Sequence, residues 1–281
     1  MEIIRSAAEM RSRAKYFKRS GRRIGFVPTM GALHEGHLSL MRLARTRSGV
    51  LVTSVFVNPS QFGSNEDLEA YPRDFARDEA LCRKERVDVL FAPGPEDVYA
   101  SDHSTWVEET SLSAGLCGAA RPGHFRGVCT VVAKLFNLVR PDVAVFGEKD
   151  AQQLRVVERM VRDLGFPVQI LRGPIVREPD GLAMSSRNRL LSPRERRDAL
   201  CLRRALTRAE ALTADGERSA AVLREAMEGE IRSVSGASID YVALVDDVSL
   251  KPVERVEGPT LAALAVRFGA TRLIDNVVLK A

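Results

Sequence analysis

The sequence is poor in the features that would send a chain into a membrane, a disulfide scaffold or a metal cage. No apolar stretch approaches the ~20 residues that a bilayer-spanning helix needs, so no membrane partner is expected. The opening segment MEIIRSAAEMRSRAKYFKRSGRR carries charges where a secretory leader has its apolar region, and a cytoplasmic location is the expectation. Cysteine occurs only four times, at Cys82, Cys117, Cys129 and Cys201, with no CxxC pair. That argues against a disulfide framework and a structural zinc site, and the four are read as buried or incidental thiols. There is no HExxH spacing and no evident third ligand near His34 and His37, which argues against a zinc site there, and there is no GxxxxGK[ST] loop and no kinase signature set, which excludes the familiar phosphate cradles.

What remains is an ordinary globular composition, with 45% hydrophobic and 28% charged residues over 281 positions, enough for one large domain or two modest ones. The net charge of +5 suits nucleic acid or small anions such as nucleotides and carboxylates, and does not choose between them. The basic stretch RSRAKYFKRSGRR alternates its charges with apolar residues at helical spacing, which favours a solvated helix face over a nucleic-acid patch. No helix-turn-helix, RNP or zinc-finger pattern is present, and no specific nucleic-acid partner is expected.

Along the first two thirds, apolar runs such as RIGFVPT, GVLVTSVFVN, VDVLFAP, DVAVFGEKD and VQILRGPIV alternate with helix-like HLSLMRLARTR, DFARDEALCRKER, VCTVVAKLFNLVR and QQLRVVERMVRDLG. Continuous apolar strands alternating with amphipathic helices predict a parallel α/β sheet covered on both faces. Near Arg177 the chain turns polar and Gly/Pro-marked, which places a domain boundary between 1–176 and 177–281. Beyond it, two helix-like segments and the runs IDYVALVD, TLAALAVRFG and ATRLIDNVVL predict a smaller α+β domain with an antiparallel sheet.

Four polar junctions carry the candidate chemistry. FVPTMGALHEGHLSLM runs from strand through turn into helix and sets His34 and His37 three apart, a spacing that puts two side chains on one helix face. Gly31 and Gly36 permit close backbone approach, and the helix N-terminus offers N–H groups and a dipole to an anion, so the segment reads as a nucleotide-phosphate site; the alternative is a surface pair. VAVFGEKDAQQL is a second strand-helix junction, with Gly147, Lys149 and Asp150 at its turn, and Lys149 could act as a point charge on phosphate. Both junctions would lie at the carboxyl ends of strands, where open α/β sheets bind ligands. MSSRN gathers the hydroxyls of Ser185 and Ser186 beside the Arg187 guanidinium, and VFVNPSQFGSNEDLEAYPRD places Asn58, Gln61 and Tyr71 in a loop suited to a small polar substrate. Each of the last three could also be an ordinary surface turn.

Together, PTMGALHEGH, NPSQFGSNEDLEAYPRD, GHFRGVCTVV, FGEKDAQQL and MSSRNRLLS resemble, in order and over nearly the whole chain, the motif set of the pantothenate synthetase (pantoate–beta-alanine ligase) family. The HxGH element alone marks only the wider nucleotidyltransferase superfamily. The resemblance implies a Rossmann-like domain carrying the site, a smaller C-terminal lid domain, a homodimer, and ATP with Mg2+. It implies joining of pantoate to beta-alanine through a pantoyl adenylate, with release of pyrophosphate and then AMP. It places Met30, Gly31, Ala32, Leu33, His34, Glu35, Gly36 and His37 along ATP, with His37 as proton donor, and Gly147, Glu148, Lys149 and Asp150 at the nucleotide-binding turn. It adds Val176, Met184, Ser185, Ser186 and Arg187 to the ATP site, assigns Gln61 and Gln153 to pantoate, and leaves the metal's protein ligands unknown. Leu191 departs from the family pattern, near a position where relatives carry an aromatic residue. The rival within the superfamily is an enzyme that keeps the nucleotidyl group in its product, which should lack the loop around Gln61.

Overall fold

The computed structural model describes residues 1–63, 68, 69 and 71–280; residues 64–67 and 70 of the loop after Gln61 lie outside the described residues. Contacts divide the chain into two units. The first comprises Met1–Ser113, Arg121–Glu148 and Gln153–Pro174, and the second comprises Ala114–Ala120, Lys149–Gln152 and Ile175–Ala281.

The elements run β1 (Glu2–Ile4), α1 (Ala7–Arg19), β2 (Ile24–Thr29), α2 (Glu35–Arg45), β3 (Val50–Val55), α3 (Phe75–Lys84), β4 (Val89–Phe91), α4 (Pro95–Val98), α5 (Cys117–Ala120), α6 (His124–Val139), β5 (Val143–Gly147), α7 (Ala151–Asp163) and β6 (Gln169–Gly173), followed by α8 (Pro193–Asp198), α9 (Cys201–Ala214), α10 (Ala220–Arg232), β7 (Ala237–Asp246), β8 (Thr260–Phe268) and β9 (Thr271–Leu279). In the first unit β1 to β6 form a sheet of order β1-β4-β3-β2-β5-β6, and every pair is parallel. This is the expected α/β sheet, with its apolar strands covered on both sides. On one face Leu38, Met41 and Ala44 of α2 pack with Val27, Leu51, Val143 and Val145. Elsewhere in the same unit, Phe136 of α6 meets Phe26, Phe146 and Phe166 edge-on at ring separations of 6.4, 6.4 and 5.7 Å.

The strand order reverses at β2, which has β3 on one side and β5 on the other. Reversal opens a crevice at the carboxyl ends of the two strands, because the connections leaving β2 and β5 depart in opposite directions. The turn bearing His34 leaves β2 there, and Gly147 ends β5.

In the second unit β7, β8 and β9 form an antiparallel sheet. Leu264, Val266 and Phe268 pack with Leu202 and Leu206 of α9 and Leu223, Met227 and Ile231 of α10 in one core. Leu191 is partly buried against that core. Three helices precede the sheet rather than two: Ser192 and Glu195 form a capping box that starts α8 one turn ahead of the long helices. All four cysteines are buried and free. Burial pushes the thiols of Cys82 and Cys129 up to about 12 and that of Cys201 up to about 11, which keeps these three unreactive at neutral pH.

Gly127 in α6 shows how closely the first unit is fitted. A Cβ there would overlap the backbone of Ser60 and stand 2.7 Å from the Gln61 Cα. Alanine is the better helix former by about 1 kcal/mol, but forcing a methyl against rigid backbone costs typically 1–3 kcal/mol. The clash should win. Gly127→Ala is expected to lower the melting temperature, and an unchanged or raised melting temperature would show that the 59–61 turn does not press on α6.

Candidate functional site

The turn after β2 begins with two residues in the left-handed region, Gly31 at φ 83° and Ala32 at φ 51°. An L-residue adopts that conformation only when its surroundings impose it. Here Asp78 of α3 imposes it: one carboxylate oxygen accepts from Ala32 N–H at 2.9 Å and the other from Leu33 N–H at 2.7 Å. Asp78 is 1% exposed. Burial raises its carboxyl above the ordinary carboxylate range, and the Leu33 and Ala32 amides pull it partly back. Thr29 Oγ1 accepts from Gly31 N–H at 3.1 Å. The amides of residues 31 to 33 are therefore engaged inside the protein.

The histidines differ from expectation in how they meet. His34 is not on the helix but is its extended N-cap, at φ −144° and ψ 174°. Its Nδ1 accepts from Gly36 N–H at 3.2 Å, and His37 Nδ1 accepts from His34 N–H at 3.3 Å, a reciprocal cap made of two imidazoles. The rings lie 4.1 Å apart, tilted by 42°. A neutral imidazole whose Nδ1 accepts carries its proton on Nε2, so capping fixes both rings as Nε2–H donors.

Gln61 ends a 3-10 turn, residues 59–61, that Asn58 caps. Asn58 is 1% exposed, and its Nδ2 donates to Gln61 Oε1 at 3.0 Å and to the Gly127 carbonyl at 3.2 Å. Its Oδ1 accepts from Ser60 Oγ at 2.9 Å and from Tyr99 Oη at 2.8 Å. Asn58 is thus the organiser of the turn. His124 donates from Nδ1 to the Gln61 carbonyl at 2.9 Å, and Gln61 Nε2 reaches Met30 Sδ at 3.2 Å. The Gln61 loop and the start of the histidine turn are brought together. Tyr71 is buried with its ring edge-on to Phe62 at 6.1 Å. Gln153 is partly buried in the first turn of α7, whereas its neighbour Gln152 is buried and bonded to Cys117 N–H and the Gly115 carbonyl.

In the second unit, Met184 N–H donates to the Val176 carbonyl at 3.0 Å, and Arg177 bridges to Ala183, so Val176 and the 184–187 segment form one small ladder. Ser185 caps the 3-10 turn 186–190 by accepting from Arg187 N–H at 3.3 Å; its hydroxyl proton remains a donor. Lys149 and Asp150, in the 3-10 turn 148–150, fall in this unit while Gly147 and Glu148 fall in the first. Sequence reasoning missed Asp78, Tyr99, His124 and Gly127. Only Asp78 had a signal: a carboxylate among apolar positions of an amphipathic helix, which must find donors if buried.

Removing the Asp78 acceptor strands two buried amides, each at ~1–3 kcal/mol. Asp78→Ala is expected to lose about 2–5 kcal/mol in urea denaturation, and Asp78→Asn, which keeps one carbonyl acceptor, to lose less. A denaturation midpoint in the alanine variant equal to the parent would show that the turn holds its conformation unaided.

Comparison with known proteins agrees with this architecture. The family model described as pantoate-beta-alanine ligase matches residues 2–278. The chain is 55% identical to the pantothenate synthetase of Thermotoga neapolitana over 279 residues, covering 99% of this chain and all of that one. It is similar to the crystal structure of pantothenate synthetase from Thermus thermophilus, with a TM-score of 0.95 and 47% identity over 100% of both chains. It is also similar to a pantoate-beta-alanine ligase from Francisella tularensis complexed with beta-gamma ATP and beta-alanine, with a TM-score of 0.83 and 31% identity over 99% of this chain and 97% of that one. With fold, motif order and full-length similarity in agreement, the chain belongs to the pantoate–beta-alanine ligase family.

Proposed function

We propose that this enzyme condenses pantoate with beta-alanine at the expense of ATP, forming pantothenate through a pantoyl adenylate. The observation that carries the reading is the reciprocal His34–His37 cap at the carboxyl end of β2, beside the point where the strand order reverses. Adenylation builds negative charge on the phosphoryl oxygens as the pantoate carboxylate attacks the α-phosphorus. An O–P bond forms, the bond to the β-phosphate breaks, and pyrophosphate leaves with its electrons. Preplaced N–H donors and cations stabilise that charge without any covalent enzyme intermediate. The beta-alanine amine then attacks the acyl carbon, the C–N bond forms as the acyl C–O bond breaks, AMP leaves with that electron pair, and the amine nitrogen gives up a proton to solvent.

In this reading Met30 to His37 lie along ATP, with His34 and His37 on its phosphates and His37 as proton donor. Gly147 to Asp150, Val176 and Met184 to Arg187 complete the nucleotide set, and Lys149 and Arg187 supply positive charge. Gln61 and Gln153 hold pantoate. Gln61 supports this assignment best, because Asn58 and His124 fix it from two sides beside Met30. That fixed glutamine also favours the ligase over a nucleotidyltransferase that keeps the nucleotidyl group in its product. Mg2+ is proposed to arrive on the nucleotide phosphates, since among the described residues no three His, Cys, Asp or Glu side chains gather as a metal cage. No helix among the described residues is long and apolar enough to cross a membrane. A cytoplasmic homodimer whose residues 177–281 act as a lid is the arrangement proposed from the family resemblance.

Pyrophosphate exchange into ATP is expected to require pantoate but not beta-alanine, and the complete reaction is expected to release AMP. Release of ADP and phosphate would instead mean an acyl-phosphate route and would falsify the adenylate. His34→Ala, His37→Ala and Lys149→Ala are each expected to slow exchange by about 10²–10³, the typical worth of one preorganised donor; Lys149→Ala is expected to melt normally, and each histidine variant, which loses a cap, to give up about 0.5–2 kcal/mol of stability while still folding. Near-parent exchange in all three would return the histidines to a surface pair.

A further inference from the structure

Two adjacent residues of β9 hold the two polar segments of the second unit. Asn276 is 6% exposed, and its Nδ2 donates to the Lys149 carbonyl at 2.9 Å across 127 residues of chain. Asp275 is 2% exposed, and its carboxylate takes the Arg177 guanidinium as a fork at 2.7 and 3.0 Å. Arg177 also donates to the Gly181 carbonyl at 3.1 Å and belongs to the ladder that joins Val176 to Met184. The pair is internally braced, since Asn276 N–H donates to Asp275 Oδ1 at 2.8 Å. Lys149, Ser185, Asn188 and Asp275 line one narrow crevice.

We propose that Asp275 and Asn276 form a clamp that sets Lys149 against the 184–187 segment, with Asn276 as the positioning residue for Lys149. The inference rests on the reading of Lys149 as a phosphate-contacting cation. A lysine has a flexible four-carbon stem, so its ammonium is placed only as well as its backbone is anchored. The 3-10 turn 148–150 is short, and its Lys149 carbonyl is fixed from outside by the Asn276 amide. A charge meant to stabilise a transition state has to be in place beforehand, and a displacement of about 1 Å costs on the order of 10²-fold. The bidentate Arg177 pair makes the other half of the clamp directional, because a guanidinium fork admits one orientation of the carboxylate.

The test is a double-mutant cycle read by pantoate-dependent pyrophosphate exchange, using Asn276→Ala, Lys149→Ala and the combination, with thermal melts of each. If the clamp acts through Lys149, Asn276→Ala lowers exchange about five- to tenfold, the worth of about one hydrogen bond. It then changes exchange by less than twofold where Lys149 is already alanine. Equal losses in both backgrounds would mean a general structural role, such as a smaller folded fraction, and would overturn the proposal. Normal exchange by Asn276→Ala alongside a slow Lys149→Ala enzyme would overturn it too. A fully active Lys149→Ala enzyme would instead remove the phosphate reading of Lys149, and the clamp proposal with it. If the alanine variant does not fold, Asn276→Asp, which keeps the volume but loses the N–H donor, carries the same comparison.

Discussion

A buried carboxylate on two backbone amides is the contact on which the histidine turn depends. Asp78 holds Ala32 and Leu33 from α3, and only with those amides fixed can the chain pass through two left-handed residues into the extended His34. A Cβ at Gly31 would stand 2.8 Å from Asp78 Oδ2, so the carboxylate and the glycine are fitted to each other. The start of α2 and the mutual capping of His34 and His37 follow from that geometry. The cost of burying the charge shows in its raised pKa, and the two amide bonds are what make it tolerable.

The same device recurs with neutral amides. Asn58 ties together Gln61, Ser60, Tyr99 and Gly127 in the first unit, and Asn276 ties Lys149 to β9 in the second. In the first case the buried amide holds the side chain of Gln61, and in the second it holds the backbone of Lys149. Such networks are useful because they are all-or-none: a buried polar group without its partner costs more than the bond contributes, so the intended arrangement is strongly preferred over near neighbours. Packing alone, being non-directional, would not fix a lysine or glutamine so narrowly.

Much of the architecture was legible in particular segments. VLVTSV is apolar enough to be buried on both faces, and it forms β3, one of the two middle strands of the six. TLAALAVRF reads as one strand of the small antiparallel sheet, and it forms β8 between β7 and β9. The short strand β1 was not legible, because it has three residues, of which only Ile4 is buried, and a run that short carries no period. The start of α6 at His124 was missed because its N-cap is Gly123 at φ 79°, with no side-chain cap to announce it. QQL could not say which glutamine faces inward, since adjacent helical positions point about 100° apart and either could be the buried one.

By itself the sequence determined the α/β class, the antiparallel sheet that follows, and the motif order that places the chain in its family. These depend on local periodicity and on residues close in the chain, which one dimension records completely. Only the tertiary structure decided what the polar residues do. Ala32 and Asp78 are 46 residues apart, Asn58 and Gly127 are 69 apart, and Lys149 and Asn276 are 127 apart. A hydrogen bond is specified by an ångström of distance and a few tens of degrees of angle, and neither is encoded in spacing once a sheet crossover lies between the partners. The sequence therefore showed two histidines and a lysine at strand ends, and the folded chain showed that the histidines cap each other and that an asparagine on the last strand holds the lysine's backbone.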